Sequence, residues 1–252
     1  MADLIITIDG PAASGKSTAA RLLAEKLGAS FLDTGAMYRA VTLAAMQADV
    51  DMSDEDKLLG VMETSEFQFS LRDGKMVVCI DGIDVTGQIR RPQVTANARY
   101  IASSPKAREK LVQMQRRFAS GRQKIVTEGR DQGTVAFSDA DIKFYLIADS
   151  IERARRRQAE LRAKGSDESR PSCRKASAAR RPFRDCGKTG RDENLEQIQK
   201  AIEERDKSDE NRTVGPLRPA EDAIVVDTTD LSIEEVVEKL LGYVKEKCLR
   251  KN

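Results

Sequence analysis

The run Gly10-Pro11-Ala12-Ala13-Ser14-Gly15-Lys16-Ser17-Thr18 keeps the spacing G-x-x-x-x-G-K-[ST]. Chemically this is a cradle for phosphates. Glycines let the backbone curl until successive N–H groups face an anion, and a helix opening beside the loop adds its positive end. Lys16 is then placed to reach the β- and γ-phosphates of a nucleoside triphosphate, and the Ser17 hydroxyl to ligate magnesium. A plain glycine turn accounts for the glycines but not for the adjacent Lys16 and Ser17. The chain lacks a clear N-K-x-D base-reading motif, which points away from a GTPase. It also has no histidine, which excludes Ser-His-Asp and Cys-His nucleophiles and His-ligated zinc. Any catalysis must use carboxylates, Lys, Arg, backbone dipoles and a metal ion.

Other clusters carry chemistry of the same kind. Asp33-Thr34-Gly35-Ala36-Met37-Tyr38-Arg39 is a polar turn feeding a helix, with Arg39 about one turn in. A guanidinium donates two parallel hydrogen bonds, which suits a phosphate dianion. Glu128-Gly129-Arg130-Asp131-Gln132-Gly133-Thr134 follows an apolar run directly, and open α/β sheets bind ligands at the carboxyl ends of their strands. Arg205, Asp209 and Arg212 fall at helical spacing and should share one face. Standing alone, Arg39 or the last set reads sooner as a solvated, salt-bridged surface than as a site.

These residues need a scaffold that brings them together. Leu4–Ile8 reads as a buried strand before the glycine loop, with a helix after it to about Lys26 and Gly28 as its C-cap. Further strands are expected at 30–32, 124–127, 142–147 and 223–227. Helices are expected at 35–50, 91–103, 105–120, 150–164 and 195–205, with one more capped by Ser53 and running to Met62. Ser232 with Glu235 forms a capping box for a last helix through Lys247. Residues 66–71 and 76–80 alternate about an Arg72–Lys75 turn and lead to 83–85, a small antiparallel meander set into an α/β chain. Strands alternating with helices imply a parallel sheet covered on both faces, the three-layer α/β fold of P-loop NTPases.

The 252 residues, 40% of them hydrophobic, suffice for one substantial core, and the net charge of +2 offers no general polycation for nucleic acid. Cys79, Cys173, Cys186 and Cys248 form no C-x-x-C pair, so neither zinc nor redox chemistry is suggested. There is no apolar run of membrane-spanning length and no basic, cleavable leader at MADLIITIDG, so the expected compartment is the cytoplasm.

Taken in order, GPAASGKST, DTGAMYR, EGRDQGT and ERDKSDENRTVGPL resemble the bacterial cytidylate kinases, and VDTTDLSIEEVVEKL resembles their C-terminal strand and helix. The resemblance implies a phosphotransferase that moves the γ-phosphate of ATP to CMP, with dCMP a second acceptor and Mg2+ as cofactor. It implies a P-loop core at 1–34, 104–150 and 213–252, a monophosphate-binding region with the small meander at 35–103, and a lid at 151–212. On the same basis Thr34, Arg39 and Arg130 hold the CMP phosphate. Arg108, Asp131 and Arg212 surround the cytosine, Arg205 and Asp209 contact the ribose, and Arg156 and Arg157 are the lid arginines. Arg99 departs from the pattern, standing where family members often carry a serine that helps read the base. The expected partners are ATP and CMP or dCMP, with no membrane or nucleic acid, and the expected state is a monomer.

Residues 166–192, rich in Ser, Arg, Ala and Lys, carry no apolar period and are expected to form a flexible loop or disordered insert. A surface extension of the lid, a stretch of altered reading frame and a basic arm for RNA or another partner all fit that composition. A kinase for another monophosphate such as UMP, or a regulatory or RNA-binding P-loop protein, stand as alternatives for the whole chain.

Overall fold

The computed structural model describes residues 2–167 and 194–249, with side chains omitted for 164–167, so nearly all of the 166–192 segment lies outside the described residues. In chain order the strands are β1 (Leu4–Asp9), β2 (Ser30–Asp33), β3 (Phe67–Arg72), β4 (Lys75–Ile80), β5 (Ile83–Asp84), β6 (Lys124–Glu128), β7 (Ile142–Ile147) and β8 (Ile224–Asp227). The helices are α1 (Lys16–Leu27), α2 (Thr34–Gln47), α3 (Glu55–Thr64), α4 (Pro92–Ser103), α5 (Pro105–Ala119), α6 (Ser150–Asp167), α7 (Leu195–Glu210) and α8 (Ile233–Leu249).

Five strands form a sheet in the order β2-β6-β1-β7-β8, and every pairing in it is parallel. β1 is central, with β6 on one side and β7 on the other, so the loop leaving β1 emerges where the chain's crossovers part. The period of two along β1 sorts its side chains. Ile6 and Ile8 join the cluster under α1 and α8, with Ala20, Leu23, Val237 and Leu240. Ile5 joins the opposite cluster with α2, α4 and α5, through Met37, Val41, Ile101 and Leu111. Thr7 and Asp9 alternate with Ile6 and Ile8, so this second face ends in a buried carboxylate.

β3, β4 and β5 form the separate antiparallel meander. Asp73 and Gly74 both have positive φ, 52° and 68°, the two-residue loop that matches strand twist. Met76, Val78 and Ile80 bury one face of this hairpin in the α2 cluster.

Several expectations shift at their edges. Asp54, not Ser53, caps α3 by accepting from the Asp56 and Lys57 N–H groups, while Ser53 bonds back to Asp51. A carboxylate is the stronger acceptor for helix N–H groups. α7 runs on to Glu210, past the expected end at Arg205. Residues Gln132–Ala136, assigned to no element in the sequence, form a π-helical turn. The Gly28 cap (φ 59°) and the Ser232–Glu235 capping box are as expected.

Candidate active site

The loop between β1 and α1 depends on particular residues. Gly10 has φ 145°, and a Cβ there would drive into the Leu146 carbonyl of β7, so only glycine fits. Gly15 turns left-handed (φ 89°) to start α1. Lys16 is the first residue of that helix and is buried; its Nζ donates to the Pro11 carbonyl at 2.6 Å, folding the lysine back across its own loop. Burial, then the positive charges of Arg130 and Arg205, bring its pKa from 10.5 to about 7, against the opposing pull of Glu128 and Asp9. Ser17 and Thr18 remain exposed at the mouth.

Two carboxylates not singled out in the sequence stand beside Lys16. Glu128 ends β6 on the same face as Val126, which packs towards α1, and the Ser17 hydroxyl lies close enough to favour its charged form. Burial and the nearby Asp33 raise its pKa, while Lys16 and Arg130 oppose this. Asp9 ends β1 and accepts from the N–H groups of Gln132 (2.9 Å) and Gly133 (2.7 Å). Burial lifts it to about 7 despite these hydrogen bonds. Asp9 thus fastens the EGRDQGT turn to the root of the phosphate loop.

The start of α2 supplies the next group. Asp33 caps α2 by accepting from the Ala36 N–H at 2.7 Å. Its other oxygen faces Arg39 at 3.4 Å and Arg90 at 3.7 Å. Arg90 comes from the Gln88–Arg90 turn below the meander and belongs to none of the sequence motifs. Thr34 donates to the Glu128 carbonyl at 2.7 Å, tying the start of α2 to the end of β6.

Arg130 Nε donates to Asp209 at 2.9 Å, and Arg212 donates to the other oxygen of Asp209 at 2.7 Å. Arg212 was expected on the helical face of Arg205 and Asp209. α7 stops at Glu210, so Arg212 reaches Asp209 from beyond the helix instead. Arg205 makes no ion pair among the described residues. Loss of hydration, then Arg130, Arg157 and Arg39, lowers its pKa to about 10, with Asp209 opposing. Arg130 and Arg205 both act on Lys16, and Arg130, Arg157 and Arg39 all act on Arg205, so these cations lie close enough to depress one another, a field suited to phosphates.

Deeper in the cleft Arg108 and Asp131 form a buried ion pair, and Arg108 lies 5.9 Å from the Tyr38 ring. Gly215 passes directly over the pair with φ 60°, and a side chain there would collide with both partners. Arg99 stands apart on the exposed side of α4, bonded to and stacked on Tyr100.

The two lid candidates part company. Arg157 pairs with Glu160 at 3.0 Å and adds to the field on Arg205. Arg156 donates to Thr228 Oγ1 at 3.0 Å and to the Thr228 and Thr229 carbonyls, beside Gly15 on the outer edge of the loop.

Among the described residues no cage of three or more metal-ligating side chains exists. Magnesium held with waters and phosphate oxygens needs only one or two carboxylates. The Ser17 hydroxyl with Glu128 and Asp33 offers such a set.

The chain that carries this glycine loop, this cluster of cations and this buried ion pair matches one family in sequence as well. The family model for cytidylate kinase matches residues 6–173 and 171–246. A cytidylate kinase of Stutzerimonas stutzeri is 43% identical over 249 residues, covering 97% of this chain and 96% of the relative. That of Vibrio cholerae is 40% identical, covering 97% of each, and that of Rhodopirellula baltica is 43% identical, covering 96% and 93%. No helix among the described residues is long and apolar enough to cross a membrane. With the family model spanning almost every residue and identities of this size over nearly the full length, the chain belongs to the cytidylate kinase family.

Proposed function

We infer that the chain transfers the γ-phosphate of ATP to CMP, and to dCMP, giving ADP and CDP or dCDP. The observation that carries this is the pair of anion pockets sharing Lys16, Arg130 and Arg205, with the buried Arg108–Asp131 pair at the end of the second pocket. Gly10 to Thr18 wrap the ATP phosphates. Thr34, Arg39 and Arg130 hold the CMP phosphate, Arg205 and Asp209 the ribose, and Arg108, Asp131 and Arg212 the cytosine. Arg90, which shares Asp33 with Arg39, adds a further positive charge beside the acceptor phosphate. Arg156 and Arg157 act from the lid, 151–212, over a core of 1–34, 104–150 and 213–252 and an acceptor region of 35–103. The enzyme works as a cytoplasmic monomer.

An acceptor phosphate oxygen attacks the γ-phosphorus as the bond to the ADP oxygen breaks. The acceptor is already ionised near neutral pH, so no strong base is required, and the absence of histidine is no obstacle. The residues work by positioning and charge neutralisation. Arg39 and Arg130 offset the repulsion between two anions brought into line. Ser17, with Glu128 and Asp33, would hold Mg2+, which supplies charge neutralisation at the β- and γ-phosphates when bound. Incubation with MgATP and CMP should yield CDP and ADP in equal amounts, and EDTA should stop both. ADP release without CDP would overturn the reading.

Lys16 gives the donor site a proton signature. With a pKa of about 7 it is largely neutral in the free enzyme at about pH 7.5, and an adjacent triphosphate favours its charged form. In the absence of Mg2+, burial beside an incoming anion also pushes Asp9 and Glu128 towards their protonated forms, so all these groups act with one sign. ATP binding should therefore take up most of one proton. Titration calorimetry in Tris and in HEPES would show this as a heat that follows buffer ionisation enthalpy, reduced in Lys16→Met. A heat independent of buffer would contradict it.

A further inference from the structure

The phosphate loop is also held from outside, by two helices that form no part of its motif. The Ala12 N–H donates to Asp206 Oδ1 of α7 at 2.9 Å. The Ala12 carbonyl accepts from Arg153 Nη1 of α6 at 3.2 Å. Arg153 and Asp206 are themselves ion-paired, and Arg153 Nε donates to the Ala148 carbonyl at 3.1 Å. All three residues are buried, at 8% exposure for Ala12, 8% for Arg153 and 6% for Asp206. The Ala12 side chain packs with Ala154, Ile198 and Ile202 of the same two helices.

The consequence lies in how the loop is shaped. Both polar groups of Ala12 point outward to the pair rather than into the cradle. Ala13 then turns left-handed at φ 59°, a conformation that is strained for a non-glycine residue and persists only where its surroundings impose it. Asp206 also sits between Arg205 and Asp209 in sequence. One helix therefore grips the donor loop with Asp206 and lines the acceptor pocket with its neighbours. A shift of α7 on acceptor binding must reach Ala12 through this link.

We propose that Arg153 and Asp206 are positioning residues that set the Ala12 peptide and couple the donor loop to the acceptor pocket through α7. The coupling rests on the CMP reading; the setting of the donor loop does not. Occupancy of the acceptor pocket and affinity for the triphosphate are then linked, and the linkage is reciprocal.

The test uses calorimetry with the β,γ-imido analogue of ATP, with and without CMP, on wild type, Asp206→Asn and the double variant Arg153→Met/Asp206→Leu. The double variant removes both charges, leaves no lone buried ion and guards against a single variant that fails to fold. Thermal midpoints report the fold separately. The expected result is a wild-type analogue affinity that changes when CMP is present. In the variants the analogue should bind about ten-fold more weakly, the size of one lost charge-assisted hydrogen bond, and its affinity should no longer respond to CMP. A merely structural pair would lower the midpoint and leave the response to CMP intact, which would overturn the proposal. So would a wild type that binds both ligands independently. Failure of wild type to bind CMP at all would sink the functional reading instead, and the variants' analogue affinity alone would then decide whether the pair sets the loop.

Discussion

Lys16→Ala lowers turnover by about two to three orders of magnitude while leaving CMP binding intact. Lys16 closes the glycine loop where α1 begins, with its Nζ already on the Pro11 carbonyl and its charge held down by burial and by Arg130 and Arg205. A preorganised charge of this kind stabilises the transferring phosphoryl group without reorganisation during reaction, which sets the size of the loss. The substitution sits at the first position of α1, where alanine is a good helix former, so the fold persists. Because Lys16 is largely neutral before a triphosphate binds, its removal changes the field on Arg130 and Arg205 little, and these bind the acceptor in the proposed scheme. The check is a coupled assay of ADP formation beside a CMP titration by calorimetry. Turnover within a few-fold of wild type, or a CMP affinity that falls in step with turnover, would contradict the assignment.

Gly215→Ala should damage the acceptor side as severely. Gly215 has φ 60°, a conformation alanine adopts only with strain, and its missing side chain is the space through which Arg108 meets Asp131. An alanine must displace one partner of a buried ion pair, and separating such a pair costs about 3 kcal/mol or more. The expected effect is a fall of about 100-fold in kcat/KM for CMP with KM for ATP essentially unchanged. Gly242 provides the control, because a Cβ there meets nothing within 4 Å. Steady-state kinetics with each substrate varied in turn, together with a thermal midpoint, separates a damaged pocket from an unfolded protein. Unaltered CMP kinetics in Gly215→Ala would remove the Arg108–Asp131 pair from base recognition.

What could be read from sequence was what is encoded locally. The phosphate loop announces itself because consecutive residues must curl around one anion, and β1, α1 and the Gly28 cap follow from an apolar run, a helical face and a left-handed turn. The Asp73-Gly74 hairpin is legible for the same reason. Helix ends were less so: Ser53 and Asp54 are both acceptable caps, and only the packed structure decides for Asp54.

The site was legible in its motifs and not in its supports. Arg39, Arg108, Arg130, Asp131, Arg205, Asp209 and Arg212 converge on one cleft, though Arg212 does so from beyond the end of α7. Asp9, Glu128, Arg90, Asp206 and Gly215 act on residues far away in the chain, so although Glu128, Asp206 and Gly215 lie inside the motifs, spacing does not say what they do. The one available signal was position: Asp9 and Glu128 each end a strand at the edge where α/β sheets bind ligands. Arg99 also needed the structure, which puts it on Tyr100 in solvent rather than against the Arg108–Asp131 pair.

The central claim is the identity of the acceptor, and a panel of monophosphates tests it most directly. Initial rates with saturating MgATP would be compared for CMP, dCMP, UMP, AMP and GMP. The Arg108–Asp131–Arg212 group predicts the highest kcat/KM for CMP, dCMP next, and UMP lower by about ten-fold or more, since a site built to pair with an exocyclic amino group penalises a carbonyl in its place. UMP used ten-fold better than CMP would contradict the account.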